Sequence, residues 1–262
     1  MNRNGAPLPV TFFYPCPENL KGDIEQVEQI DVDRDLAFWN TPQDARRRVW
    51  TLQTYARLRE AGYQNVRIAE RLPTKGIVLF VPEPDIVEAF FRQWTPAHRR
   101  LLICTMRAAV VDFRFPFADA EIVQNGRFAD GERSFHIPHW PQPGLIPRDA
   151  SRGNTIRTIA FKGDQGNLHP DFRSERFVRF LDARGIDLVC DGPTTSEERH
   201  EMAAWHDYSE SDLVLAVRKS WMEGGLRTEK PASKLINAWH AGVPALLGPE
   251  YAYRELRRSE LD

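Results

Sequence analysis

Short apolar runs alternate with helical patterns along the whole chain, and this alternation is the feature that most limits its possible folds. In the first half, the apolar runs predict strands over residues 10–14, 66–69, 76–81, 101–105, 121–123 and 135–137. Apolar residues that recur every three or four positions predict helices over 45–61 and 84–94. Strands that alternate with helices favour a largely parallel sheet covered by helices.

The second half shows the same alternation more regularly. Its predicted strands are 156–161, 186–190, 213–217 and 243–247. Its predicted helices are 172–183, 197–206, 232–239 and 251–258. Four strand–helix units in succession predict a Rossmann-like domain. The predicted fold class is therefore α/β, with two Rossmann-like domains, parallel sheets and a cleft between the domains.

A proline-rich stretch separates the two halves. Residues 137–147 contain four prolines, and a polar run follows to residue 154. Because proline fixes φ and lacks an N–H donor, this stretch is predicted to be an extended connector. We expect a first domain over 1–140, a linker over 141–154 and a second domain over 155–262. The sequence ends over residues 258–262 without a glycine or other cap that would close the last predicted helix, so we expect the second domain to be incomplete at its end.

The composition excludes several classes of protein. Hydrophobic residues make up 42% of the chain and charged residues 27%, which is typical of globular domains. A net charge of −2 argues against a nucleic-acid partner. No apolar run reaches the roughly 18 residues of a membrane-spanning helix, although peripheral contact with a membrane stays open. Three separated cysteines and a start without a leader pattern favour a cytoplasmic protein.

Candidate ligand-binding residues follow two strands of the second half. Ligands of parallel α/β sheets bind at the carboxyl ends of the strands. Lys162 and Gly163 follow the strand 156–161, where a lysine can meet a phosphate and a glycine allows close approach of the backbone. A flexible turn without a ligand is the alternative for these two residues. Arg218 follows the strand 213–217 and is expected either to contact phosphate or substrate, or to pair with a carboxylate such as Glu223.

Charged and small polar residues collect where the helix 232–239 begins, next to Pro231, which suits a first helical turn. These residues are Glu229, Lys230, Ser233 and Lys234. Helix N-termini already favour anions, so the two added lysines predict a site for a diphosphate, with Glu229 accepting sugar or ribose hydroxyls. The alternative is that the charges only cap the helix in solvent. Glu250, which precedes the last predicted helix, is expected to join the same site.

The segment 229–244 resembles the donor-binding part of GT-B glycosyltransferases, in which an acidic residue opens the pattern E-x7-E-A-x-x-x-G-x-P. Glu229, Ala238, Gly242 and Pro244 stand at matching positions, and Asn237 replaces the second glutamate. The resemblance implies a nucleotide-sugar donor bound by the second domain and a sugar, lipid or small-molecule acceptor on the side of the first. In that family the residue at position 237 commonly holds the ribose hydroxyls, which an asparagine can do without charge.

Sugar transfer with inversion needs a general base, and histidine is the side chain tuned closest to neutral pH. His139 in the connector and Asp112 in the first half are the candidates. The spacing of His136 and His139 is that of a metal pair, but an extended proline-rich segment seldom supplies paired ligands, and no third ligand is nearby. We therefore expect neither a metal nor a cofactor other than the nucleotide-sugar substrate.

Two other functions remain open at this point. One is a catalytically degenerate module of the same fold that binds a nucleotide or a partner, with Asn237 as the mark of lost chemistry. The other is a Rossmann dehydrogenase. The loop after strand 156–161 argues against it, because Lys-Gly-Asp-Gln-Gly-Asn lacks the third glycine of the dinucleotide fingerprint.

Overall fold

The computed structural model describes residues 7–16, 22–39, 47–107, 115–192, 204–219 and 230–259. These residues form two compact units, each built on its own sheet. The first unit consists of Met1–Asp35 and Asp44–Ile137, and the second of Leu36–Gln43 and Pro138–Asp262. The short helix Leu36–Trp39 thus groups with the second unit, although it lies early in the chain.

The sheet of the first unit has six strands, all paired in parallel. In chain order they are β1 (Val10–Phe13), β2 (Val66–Ala69), β3 (Gly76–Phe80), β4 (Leu101–Arg107), β5 (Ala120–Val123) and β6 (Ser134–His136). Their order across the sheet is β2-β1-β3-β4-β5-β6. The order reverses between β1 and β3, as it does in doubly wound α/β folds.

Helices of the first unit connect these strands. They are α1 (Asp23–Val27), a π-helical turn (Arg48–Leu52) continued by α3 (Gln53–Glu60), and α4 (Pro84–Gln93). The label α2 is kept for Leu36–Trp39 of the second unit. Pro84 stands in the first turn of α4, where its missing N–H costs nothing. Phe90 of α4 packs edge-to-face against Phe13 and with a tilted ring against Phe80, both in the sheet. These contacts bury the apolar face of the helix.

The sheet of the second unit has four parallel strands in the order β10-β9-β7-β8. They are β7 (Thr158–Phe161), β8 (Asp187–Cys190), β9 (Leu213–Ala216) and β10 (Ala245–Leu247). The strand order reverses between β7 and β9. In open α/β sheets this reversal opens a crevice outside the carboxyl ends of the two strands, where ligands bind.

Three helices follow the strands of the second unit. They are α5 (Glu175–Asp182), α6 (Ser233–Ala241) and α7 (Tyr251–Arg254). Leu235 and Ile236 of α6 pack with Tyr253 of α7, while Ala238 and Ala241 pack with Val214 and Tyr208. The two sides of α6 thus bury different apolar clusters, and this packing fixes where the helix begins.

The prediction of an α/β fold with two parallel sheets is confirmed. Three predicted helices differ from the structure. The predicted helix 172–183 is split, because Ser174 accepts from the N–H of Phe177 and caps α5 after a separate 3₁₀ turn. The last helix ends at Arg254 rather than residue 258. Most of the predicted helix 197–206 lies outside the described residues, and its described part, 204–206, is not helical.

The proline-rich segment is held against the second unit by backbone hydrogen bonds. Ile146 N–H donates to the carbonyl of His206 at 2.8 Å, and Arg148 N–H donates to that of Ala241 at 2.9 Å. The contact-based division of the chain falls between Ile137 and Pro138, whereas the predicted first domain extends to residue 140. Among the described residues, no helix is long and apolar enough to cross a membrane.

Candidate anion site at the carboxyl edge of the second sheet

The loops after β7 and β9 flank the point where the strand order of the second sheet reverses. Lys162, Gly163 and Asp164 follow β7 directly, and Arg218 comes two residues after β9. Glu250 begins α7 after β10. The structure thus brings together several residues that the sequence predicted to bind a donor, and it does so where α/β sheets bind ligands.

The β7 loop is packed so closely that two glycines are required. A Cβ on Gly192, which follows β8, would lie 2.0 Å from the carbonyl oxygen of Gly163. A Cβ on Gly163 would lie 2.9 Å from Nζ of Lys234. The first distance is shorter than van der Waals contact allows and involves backbone atoms. The second involves the flexible end of a lysine, and Gly163 is favoured at its position by a φ of +155°. The absence of these side chains lets the loop approach Lys234, which belongs to α6.

Lys162 has a structural role that the sequence did not indicate. The residue is 6% exposed, and its ammonium donates to the carboxylate of Asp191 and to the backbone carbonyl of Asp207. A longer contact of 3.4 Å reaches the carbonyl of Ala204, and the ring of Tyr208 lies 5.1 Å from Nζ. An ammonium has three donors, and these oxygens use them. These contacts give Lys162 a structural role, and the prediction that it also binds phosphate stays a prediction.

Among the described residues, the carboxylate partner of Arg218 is Glu250. Nη1 of Arg218 lies 3.2 Å from Oε2 of Glu250, and both side chains are buried. The phenol of Tyr253 on α7 lies beside this pair, and burial raises its pKa to about 12, so the phenol stays neutral. Glu223, the partner considered from the sequence, lies outside the described residues.

Lys230 and Lys234 bring two more cations to the pair. The pKa of Lys234 is lowered to about 7, chiefly by burial and then by the charges of Arg218 and Lys230, against the opposing effect of Glu250 and Asp164. Burial and Arg218 also lower the pKa of Lys230. Nζ of Lys234 lies 5.3 Å from the ring centroid of Phe161. To residues in the described ranges, neither lysine donates a hydrogen bond or forms an ion pair within 4.0 Å.

The N-terminus of α6 adds backbone donors to this cluster. Ser233 is the first residue of the helix, and the residue before it, Ala232, provides no side-chain cap. The first N–H groups of a helix have no intrahelical partner, and the helix dipole favours an anion there. We use "cation cluster" for Arg218, Lys230 and Lys234 together with this helix end. Glu229, which the sequence placed in the same cluster, lies outside the described residues.

Asn237 does not belong to the cation cluster. It lies in the middle of α6, and its Oδ1 accepts a hydrogen bond of 2.9 Å from the backbone N–H of Gln142. The amide thus fastens the proline-rich segment to α6. This hydrogen bond uses one of the two lone pairs of Oδ1, and the role toward a ribose that the resemblance implies for Asn237 stays a prediction.

Of the two predicted catalytic bases, the structure describes only His139. Nδ1 of His139 contacts the carbonyl of the adjacent Trp140, and burial lowers the pKa of His139 to about 4. An imidazole with this pKa is neutral at pH 7 and is a weaker base than an unperturbed histidine. Asp112 lies outside the described residues. No three His, Cys, Asp or Glu side chains within the described ranges could together hold a metal ion.

Several residues of this edge were missed by the sequence reasoning. Asp191 follows β8 directly and holds Lys162, and Asp164 faces both lysines of the cation cluster. Asp191 could have been found, because the rule applied to β7 and β9 also covers the residue after β8. Tyr208 and Tyr253 gave no signal, since their positions depend on tertiary packing.

Comparison with known protein families gives no match for this chain, and comparison with curated proteins gives none either. The function must therefore be argued from the site.

Proposed function

We propose that this protein is a GT-B-type glycosyltransferase that transfers a sugar from a nucleotide-activated donor. The diphosphate of the donor is held by the cation cluster, and the acceptor is a sugar, lipid or small molecule bound on the side of the first domain. The GT-B resemblance of residues 229–244 supports this proposal, and the geometry of the cluster supports it independently.

One observation carries the proposal. Arg218, Lys230 and Lys234 face one another beside the strand-order reversal of the second sheet, where they outnumber Glu250 and Asp164. Burial of like charges is unfavourable unless an anion compensates them. A diphosphate supplies such an anion and can also accept from the first N–H groups of α6.

In this proposal the cation cluster contributes to catalysis by electrostatic stabilisation of the leaving group. Breaking the bond between the anomeric carbon and the diphosphate leaves negative charge on the leaving group. Preorganised donors in a partly buried site stabilise that charge as it develops, without reorganising at the moment of reaction. In this proposal Lys230 and Lys234 donate to the phosphate oxygens, and Arg218, positioned by Glu250, contributes its positive charge.

The proposal is tested by measuring nucleoside diphosphate binding to the wild-type protein and to Lys234→Ala by calorimetry. Hydrogen bonds to charged groups contribute about 1.5–3 kcal/mol, so we expect the Kd to rise roughly 10- to 100-fold in the variant. Lys75→Ala is the matched control, because Lys75 is an exposed lysine of the first unit. Equal Kd values for the wild type and Lys234→Ala would contradict the proposal.

A second candidate function is a catalytically degenerate module that binds a nucleotide without transferring sugar. The presence of Asn237 in place of the second glutamate of the pattern favours it, because an amide brings no negative charge to a ribose. Release of free or transferred sugar from a panel of nucleotide sugars distinguishes the two. Turnover that is lost in Lys234→Ala supports the transferase, whereas tight binding without turnover supports the module.

A further inference from the structure

We propose that the cation cluster binds its anionic ligand together with a proton, which the amine of Lys234 takes up from solvent. This inference rests on the proposed function, because it takes the ligand to be the diphosphate of the donor. In the empty site Lys234 is largely the neutral amine above pH 7. In the complex it is the ammonium, and no other bond is made or broken.

The groups that face Lys234 come from each element packed around it. Arg218 comes from the end of β9 and Lys230 from the residues before α6. Their charges oppose a third cation. Asp164, from the loop after β7, and Glu250, from the start of α7, favour it. The ring of Phe161 and the backbone of Gly163 cover the amine from the β7 side.

The two carboxylates already have other partners. Glu250 pairs with Arg218 at 3.2 Å, and Oδ1 of Asp164 accepts from the N–H of Gly166 at 2.9 Å. No carboxylate among the described residues lies within 4.0 Å of the Lys234 ammonium. Among the residues that the structure describes here, three cations face two carboxylates when Lys234 is protonated, and the charges balance when it is neutral.

The charge balance reverses when a diphosphate enters. Its negative charges attract the protonated form of Lys234, so the pKa of the lysine rises from about 7 toward its ordinary value. Linkage then requires proton uptake wherever the pH lies between the two pKa values. At pH 8 the empty site holds the amine mostly neutral, and we expect about 0.9 proton to be taken up per ligand bound.

The same linkage predicts a pH-dependent affinity. The terminal phosphate of a nucleoside diphosphate is fully ionised above about pH 7.5, because its second pKa is near 6. Any further change in affinity at higher pH therefore comes from the protein. For a bound-state lysine pKa close to 10.4, the association constant falls about 20-fold between pH 7.5 and pH 9.

The experiment is calorimetric titration of the full chain with a nucleoside diphosphate at pH 8 in two buffers that differ in ionisation enthalpy. The dependence of the binding enthalpy on the buffer gives the number of protons taken up. Lys234→Arg keeps a cation that cannot lose its proton in this range. We expect this variant to bind with most of the uptake abolished and with little change in affinity between pH 7.5 and pH 9.

The outcomes separate this inference from the proposed function. Binding to the wild type without proton uptake overturns the inference and leaves the anion site intact. Uptake that is unchanged in Lys234→Arg also overturns it, because another group then takes the proton. No binding of any nucleoside diphosphate overturns both proposals. If Lys234→Arg does not fold, Lys234→Gln replaces it; weaker, pH-independent binding without uptake supports the inference, and unchanged uptake contradicts it.

Discussion

Lys234 is the residue on which the account of this protein depends most. Its amine lies beside Gly163 and the ring of Phe161, and two other cations face it. Desolvation and like charges both disfavour the ammonium, which explains why the pKa of the lysine falls to about 7. A cation placed where the empty protein disfavours it reduces the stability of the fold, as residues of binding sites often do.

Replacement of this lysine by an apolar side chain of similar length should therefore stabilise the empty protein. The pKa of Lys234 is lower in the folded state than in the unfolded chain, so the unfolded chain binds more protons between about pH 7 and 10.5. Each pKa unit corresponds to about 1.4 kcal/mol, and after a discount for partial exposure we expect Lys234→Met to gain roughly 2 kcal/mol at pH 6.

The measurement is urea denaturation of the wild type and of Lys234→Met at pH 6 and pH 9 without ligand, with Lys75→Met as the control. The advantage of the variant should be largest at pH 6. It should shrink at pH 9, because the wild-type amine is then already neutral. A loss of stability in Lys234→Met at both pH values would show that the lysine is not disfavoured in the empty site.

The sequence predicted the positions of several site residues but not the partners of their side chains. Sequence reasoning placed Arg218, Glu250, Lys230 and Lys234 at one edge of the sheet, because they follow strands or stand at the starts of helices. Lys162 occupies the same kind of position, yet Asp191 and the Asp207 carbonyl use its donors. Position along a strand predicts which edge a side chain reaches. It does not predict which distant residue meets it there.

The other end of the second sheet is organised by one buried carboxylate. Asp212, directly before β9, accepts from the N–H groups of Arg157 and Thr158 at 2.9 Å each. Arg148 and Arg152 reach the same carboxylate at 2.7 and 2.8 Å. Asp212 therefore connects the start of β9, the start of β7 and the proline-rich segment. These contacts hold its pKa well below the usual range, with the hydrogen bond from Arg152 as the largest cause.

Removal of the Asp212 charge should lower the free energy of unfolding of the second unit and leave the residues of the cation cluster unchanged. Breaking one partner of a buried ion pair costs about 3–5 kcal/mol, and since both arginines keep some exposure we expect roughly 3 kcal/mol for Asp212→Asn. Asp182→Asn, at an exposed aspartate of α5, is the control. Urea denaturation at pH 7 measures the loss, and a difference between Asp212→Asn and the wild type below about 1 kcal/mol would contradict the role of Asp212.

The direction of the Asp212 pKa shift determines how its contribution to stability depends on pH. The pKa of Asp212 is lower in the folded protein than in the unfolded chain, so its contribution is fully present above the unfolded pKa of about 3.9. It is lost as the pH falls below that value and the unfolded chain takes up the proton. The wild type should therefore lose stability more steeply than Asp212→Asn between pH 5 and pH 3.

The strands were predicted more accurately than the helices, for a physical reason. β2 was predicted with its observed bounds, and the other strands within two residues at either end, because each contains a short apolar run bounded by polar or turn residues. Helix ends depend on capping contacts that a pattern does not show. Ser174, for example, caps α5 where the periodic pattern continued without a break.

The two sheets share one winding order, yet the charges at their strand-order reversals differ. In the first unit, Arg48 pairs with the buried Asp23 at 2.7 Å, and Arg47 pairs with Glu83 at 2.8 Å and with Asp85. Each of these arginines thus has a carboxylate partner. In the second unit, Lys230 and Lys234 have no carboxylate within 4.0 Å among the described residues. This contrast favours the second unit as the place where an anion binds.

The net charge of the whole chain does not favour anion binding. At −2 it provides no general attraction for a phosphate, so any affinity must come from the local arrangement of the cation cluster. Binding should consequently be confined to one place in the second unit and should not spread over the surface.

Hydrogen–deuterium exchange with and without a saturating nucleoside diphosphate tests this central claim most directly. The account predicts slower exchange in peptides that cover 162–168 and 230–236, because the ligand contacts the β7 loop and the first N–H groups of α6. Peptides that cover β1 and β3 should be unchanged. Unaltered exchange in both second-unit peptides at saturation, or protection confined to the first unit, would contradict the assignment of the anion site.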